Sequence, residues 1–157
     1  MLWRRAVEPF ARPFVFAWFK LARGLTLGVR GIVQDAEGRV LLIEHTYVDG
    51  WHLPGGGVET GETMLAALTR ELREEGNVEL TGAPVLHGIY FNRQASRRDH
   101  VALFVVRDFR QSAMPKPNFE IAECGFFARD AVPAETTKGT RARIAEVFDG
   151  LAASEFW

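Results

Sequence analysis

An α/β domain is what this sequence predicts, and three observations carry the expectation. Segments of alternating apolar character recur along the chain, a helix with apolar residues at helical spacing is inserted among them, and a second such helix follows the last strand. At 157 residues the chain has the size of one domain and can bury a core of its own. It contains no repeat and no low-complexity tract. The expected division is therefore an N-terminal amphipathic segment, residues 1–25, followed by one domain over residues 26–157.

The first segment reads MLWRRAVEPFARPFVFAWFKLARGL. Trp3, Val7, Phe10, Phe14, Trp18, Leu21 and Leu25 recur at steps of three and four, which makes an apolar helical stripe beside basic residues. Pro9 and Pro13 interrupt it, so one helix from about residue 13 to residue 23 with an irregular lead-in is expected. The run PFVFAWF is too short for a membrane span, which needs roughly 18 apolar residues, and it lacks the small-residue cleavage site of a signal peptide. Such a stripe docks on its own domain or on a second copy as a homodimer, or it lies on a membrane surface as a peripheral contact. Docking is the commoner use.

Thr26 to Gln34 alternates as TLGVRGIVQ, Asp35 to Gly38 reads as a turn, and Arg39 to His45 continues as RVLLIEH, so a β-hairpin is expected. Further strands are expected at Val85 to Phe91, His100 to Phe109 and Cys124 to Ala128. Between these groups lies a helix whose Leu65, Leu68 and Leu72 form an apolar side suited to the core. The last helix is expected over about residues 140–152, burying Ile144, Val147, Phe148 and Leu151.

Composition excludes several classes of function. A net charge of −1 argues against a binder of nucleic-acid polymers, whose affinity comes from many Lys and Arg on the phosphate backbone. The single cysteine, Cys124, forms no internal disulfide and reads as a small buried hydrophobe, so a cytoplasmic location is the default.

The chemistry concentrates in the middle helix. With about 3.6 residues per turn, Glu71 and Glu75 stack one turn apart and Glu74 sits beside them. Three like charges on one side repel, and carboxylate oxygens are what a hard cation such as Mg²⁺ selects, often together with substrate phosphate. Arg70 and Arg73 interleave with the acids, and a salt-bridged solvated face is what such a run means when it stands alone. Here it does not stand alone, because the glycine-rich turn WHLPGGGVETGE leads into it.

The stretch Gly56 to Val78, GGVETGETMLAALTRELREEGNV, resembles the signature of the Nudix hydrolases. Gly56, Glu62, Arg70, Glu71, Leu72, Glu74, Glu75 and Val78 stand where that pattern asks, and Asn77 replaces its terminal glycine. Asn is the usual substitute for Gly at a left-handed helix cap, so the metal site is expected to survive the change. The resemblance implies an α/β/α sandwich, a mixed β-sheet flanked by helices. It also implies Mg²⁺- or Mn²⁺-dependent hydrolysis of a nucleoside diphosphate linked to another group, including a nucleoside triphosphate. By position it assigns Glu71, Glu74 and Glu75 to the metal, with a backbone carbonyl of Gly55 or Gly56, while Arg70 orients the acids and Glu62 fixes the loop.

A proton acceptor is left open between Glu75 and a distant acid, for which Glu120 and Glu123 in the segment Asn118 to Phe127 are the candidates. The loop Asn92 to His100 carries Arg93, Arg97 and Arg98, residues suited to bidentate phosphate contact, and His45 at a strand end is placed to line the same cleft. Such a loop is equally an ordinary flexible hairpin loop. Tyr47 and Trp51 suit either packing or stacking on a base. The downstream markers of ADP-ribose, dinucleoside-polyphosphate, NADH and coenzyme A hydrolases are missing, and Asn92, Arg93, Gln94 and Ala95 stand where the first two would be. A nucleotide-type small molecule is the expected partner. Two other readings stand beside it: a membrane-surface hydrolase of a lipid-linked or isoprenoid diphosphate, and a non-catalytic nucleotide-binding module.

Overall fold

The computed structural model describes residue 18 and residues 21–157 of the chain. Most of the expected N-terminal helix thus lies outside the described residues; of its stripe, Trp18, Leu21 and Leu25 are exposed. Among the described residues the elements are β1 (Thr26–Val33), β2 (Val40–His45), β3 (Trp51–His52), α1 (Met64–Gly76), β4 (Val78–Leu80), β5 (Val85–Phe91), β6 (Asp99–Val106), β7 (Phe109–Gln111), β8 (Ile121–Phe127) and α2 (Lys138–Asp149). No described helix is long and apolar enough to cross a membrane.

The α/β class holds, and the sheet divides. One mixed sheet runs β1-β6-β5, with β1 parallel and β5 antiparallel to β6; a second, antiparallel sheet runs β3-β2-β8; β4 and β7 pair separately. The expected β1–β2 hairpin survives only at its turn, where Gln34 bridges Val40 and Asp35 exchanges hydrogen bonds with Arg39. Beyond the turn the strands part into different sheets. Alternation identifies a strand, but both faces of β1 are buried and its ladder partner is chosen by that burial.

Alternate residues face two cores. Val29, Val33, Leu41, Ala102, Phe104 and Val106 pack against Ala67, Leu68 and Leu72 of α1. Ile32, Val40, Leu42 and Leu103 point the other way and pack with Trp51, Leu53, Tyr90 and Ile144 of α2. Helices therefore cover the strand layer on both sides. Gly31 sets the distance to α1, since a Cβ there would lie 3.1 Å from a Leu72 methyl and 3.3 Å from one of Leu68.

Several boundaries and faces differ from expectation. Leu65 is exposed at the first turn of α1, and the small Ala67 takes the place against the sheet. The strand expected over residues 100–109 ends at Val106, and Phe109 starts a separate strand. The last helix begins at Lys138, capped by Thr137, and stops at the left-handed Gly150 (φ 67°), so Leu151 lies beyond it and is exposed.

Asn77 behaves as expected of a glycine substitute. It caps α1 at φ 52°, and its amide donates to Ser112 Oγ and to the Ala113 carbonyl. Asn77→Ala is expected to cost about 1–2 kcal/mol by chemical denaturation, since it keeps the strained φ and loses both side-chain bonds.

Candidate active site

The glycine turn between β3 and α1 is laced to β1. Gly31 N–H donates to the Pro54 carbonyl at 2.9 Å, Val29 N–H to Gly56 at 2.8 Å, and Val58 N–H to Leu27 at 2.8 Å. Gly55 sits at φ 140°, and a Cβ there would strike the Val29 carbonyl. Gly56 faces α1 so closely that a Cβ would overlap the Glu71 carboxylate. The acid thus occupies space that only glycine leaves open. Gly56→Ala is expected to displace Glu71 and lower turnover at least about tenfold, with a folded circular dichroism spectrum, because a shift of about 1 Å at a reacting centre costs up to 10²-fold.

Arg70 holds this arrangement. Its guanidinium donates through Nε and Nη2 to both oxygens of Glu62, through Nη1 to Glu71 Oε1 at 2.6 Å, and through Nη2 to the Gly57 carbonyl. Glu62 also accepts from Glu59 N–H, which closes the loop, and the bonds from Arg70 hold its carboxyl below the usual range. Arg70 thus bridges Glu62, Glu71 and the Gly57 carbonyl. Glu74 is half-exposed at the rim, 3.6 Å from Arg70.

Glu75 is buried at 4% exposure and accepts the Gly55 N–H at 2.6 Å. Burial pushes its carboxyl up to about 8; the charges of Glu71 and Glu120 push the same way, while the Gly55 N–H and Arg30 oppose. His45 Nε2 lies 3.7 Å from Glu75, yet burial, then Arg30 and His52, lower the imidazole. Both groups therefore favour their neutral forms near pH 7, and the contact is not an ion pair. Arg30, from the middle of β1, donates to the Leu53 and Gly55 carbonyls at 2.9 and 2.6 Å.

Two adjoining cavities of about 330 and 770 Å³ open from this point and share Arg30, His52, Asn92, Ala95 and Trp157. The smaller reaches Gly56 and Gly57; the larger reaches Lys138 and Phe156. A third cavity, about 510 Å³, lies apart beside Arg129 and Arg141, and the latter is tied to the Pro133, Ala134 and Thr136 carbonyls.

The remaining expected site residues divide. Glu120 lies close enough to raise Glu75 and Tyr47 by its charge. Glu123 pairs with Glu44 on the face of β2 and β8 opposite to Ile43 and Cys124, turned from Glu75. In the arginine loop, Arg93 stacks 4.8 Å over Phe156, and Arg97 and Arg98 are exposed; the cavities are lined by Asn92, Gln94 and Ala95. Trp51 packs on Phe127 in the core. Cys124 is half-buried and pushed up to about 12 by burial, as an inert thiol. Arg30 and Trp157 escaped the sequence reading, although a lone Arg inside an apolar strand is a readable signal.

The donor set suits a hard divalent cation. Glu71, Glu75 and Glu120 offer oxygens, and the Gly55 and Gly56 carbonyls each keep a lone pair after their single hydrogen bond. Among the described residues the acids are not drawn into a tight three-ligand cluster. Arg70 donates to Glu71, and the Gly55 N–H donates to Glu75.

Comparison with known proteins bears on the family of the chain. The model of the NUDIX domain matches residues 24–148. A MutT-like protein of Streptomyces ambofaciens is 28% identical over 125 residues, covering 80% of this chain and 78% of that protein. An RNA pyrophosphohydrolase of Halorhodospira halophila is 54% identical over 44 residues; that match spans 28% of this chain and 24% of the relative's length. A crystal structure of a MutT NUDIX hydrolase from Burkholderia pseudomallei superimposes with a TM-score of 0.66 at 25% identity, over 78% of this chain and 97% of that one. With the family model spanning the glycine turn and α1, the chain belongs to the Nudix hydrolase family.

Proposed function

We propose that this protein is a Mg²⁺- or Mn²⁺-dependent pyrophosphohydrolase acting on a nucleoside triphosphate or another nucleoside diphosphate derivative in the cytoplasm. The observation that carries the reading is Glu75, a buried carboxylate raised to about 8 beside Glu71, Glu120 and a glycine turn of backbone carbonyls. Glu71 and Glu75, with a Gly55 or Gly56 carbonyl and with Glu74 at the rim, would hold the cation. When bound it neutralises pyrophosphate charge and lowers the pKa of a water.

The chain's own residues do the rest. Arg70 and Glu62 hold Glu71 in the space left by Gly56, and the Gly55 N–H holds Glu75. Arg30 anchors one nitrogen on the turn and lines both cavities, so its charge meets the substrate's phosphates. Glu120, exposed and near enough to raise Glu75 by its charge, is the residue to which we assign the proton of the attacking water.

Incubation with Mg²⁺ or Mn²⁺ and a panel of nucleoside triphosphates, sugar nucleotides, ADP-ribose, dinucleoside polyphosphates and 5′-triphosphate RNA tests the reading. Turnover of a small nucleotide supports it; turnover of RNA alone would replace the substrate class, and no turnover of any would remove the activity. Glu120→Gln is expected to lower kcat by roughly 10²-fold or more with KM little changed. Glu123→Gln should stay within about twofold, since solvated surface changes perturb little.

A further inference from the structure

Beyond α2 the chain turns back and docks on the edge of β5. Glu155 carbonyl accepts from Phe91 N–H at 2.8 Å, Trp157 N–H donates to the Phe91 carbonyl at 3.2 Å, and Phe156 bridges Phe91 in parallel. A buried network fixes this segment from below. Arg143, 2% exposed, donates to Glu146 Oε1 at 2.6 Å and to the Phe156 carbonyl at 2.7 Å; Glu146 also accepts Tyr90 Oη and Ser154 N–H. An ion pair so far from water stabilises little by itself compared with apolar packing, so its use is better sought in the position it imposes. That position is the indole of Trp157.

The indole stands edge-on to Tyr90 at 5.8 Å, with its Nε1 against Gly139, where a Cβ would lie only 2.7 Å away. It is partly exposed and lines both cavities, the smaller of which also reaches Gly56 and Gly57. A planar aromatic wall thus lines the cavity that also reaches Arg30 and the glycine turn. Asn92, Asp99 and Thr26, linked by side-chain hydrogen bonds at 2.9 and 2.7 Å, line that cavity as its polar side.

We propose that Trp157 is the specificity platform of this enzyme: a substrate base stacks on its indole, and the Arg143–Glu146–Tyr90 network is the positioning device that holds it there. The assignment rests on the pyrophosphohydrolase reading above and adds to it the residue that meets the substrate's base. Stacking on an aromatic side chain is tolerant of base identity, so the cleft selects nucleotides as a class.

Trp157→Ala is expected to raise KM for base-bearing substrates by roughly tenfold to a hundredfold with kcat within about threefold, because a base stack contributes that much to binding. Phosphoribosyl pyrophosphate, a diphosphate without a base, should show the same kinetics in both proteins if it is turned over. Trp157→Phe should recover most of the affinity. In a second measurement, AMP or GMP titrated into the wild type should quench tryptophan fluorescence, and Trp157→Phe should abolish the quench while Trp3, Trp18 and Trp51 remain. Unchanged KM for every nucleotide in a folded Trp157→Ala protein overturns the platform but leaves the hydrolase reading standing. Should Trp157→Ala fail to fold, a quench that persists in Trp157→Phe overturns it instead. Absence of any turnover by the wild type removes the hydrolase reading, and the fluorescence titration still decides whether Trp157 meets a base.

Discussion

Glu75→Gln should lose on the order of 10³-fold or more of the hydrolytic rate while making the metal-free protein more stable at and above about pH 8. The first effect follows from removing a charged oxygen from the shell of the proposed cation, where a metal's contribution is several kcal/mol, equivalent to about three powers of ten. The second follows from linkage. The carboxyl has its ordinary value of 4.5 in the unfolded chain and about 8 in the folded one, so folding favours the protonated form. Stability from this group is fully present below pH 4.5 and is lost as pH rises through 8. Glutamine never ionises, and its amide oxygen still accepts the Gly55 N–H. Thermal melts of both proteins in chelator, at pH 6 and pH 9, read the difference: the two should lie closest at pH 6, with the variant above the wild type at pH 9. Added Mn²⁺ should raise the melting temperature of the wild type and leave that of Glu75→Gln nearly unmoved.

Arg143→Leu should be the most damaging change far from the acids. It removes the guanidinium that neutralises Glu146, a residue 7% exposed, and leaves a buried carboxylate with only Tyr90 and Ser154 as donors. Breaking one partner of a buried pair costs about 3–5 kcal/mol. For a domain of this size that lowers Tm by roughly 6–20 °C. The double variant Arg143→Leu with Glu146→Leu should recover most of the loss, because paired apolar replacements leave no charge without a partner. Differential scanning calorimetry of the three proteins separates this from simple loss of volume, which the double variant would not repair.

Local signals in the sequence carried the α/β class, the middle helix and its acids. Thr63 and Asn77 cap α1 as their residue types dictate, and Arg70, Glu62 and Glu71 meet because helix spacing and a glycine turn bring them together. What escaped was everything that depends on distant pairing. The parting of β1 and β2 into two sheets is set by β6 and β8, more than 60 residues further along the chain, and no local pattern records that choice. Short strands such as β3, β4 and β7 are below the length at which alternation shows. Arg30 and Trp157 reach the cleft only through tertiary structure, one from mid-strand and the other from a segment docked on β5. The two late acids, equivalent in sequence, are told apart by register alone: Glu123 lies opposite Glu44 while Glu120 stands near Glu75.

We propose that Glu71, Glu75 and the glycine turn hold a divalent cation against a substrate pyrophosphate. This is tested most directly by the steady-state rate of metal-stripped enzyme on its best nucleotide, with Mg²⁺ or Mn²⁺ added back, for the wild type and for Glu75→Gln. No turnover is expected in chelator, with saturable recovery in the wild type and almost none in the variant. Full activity without metal, or a variant as active as the wild type, would contradict it.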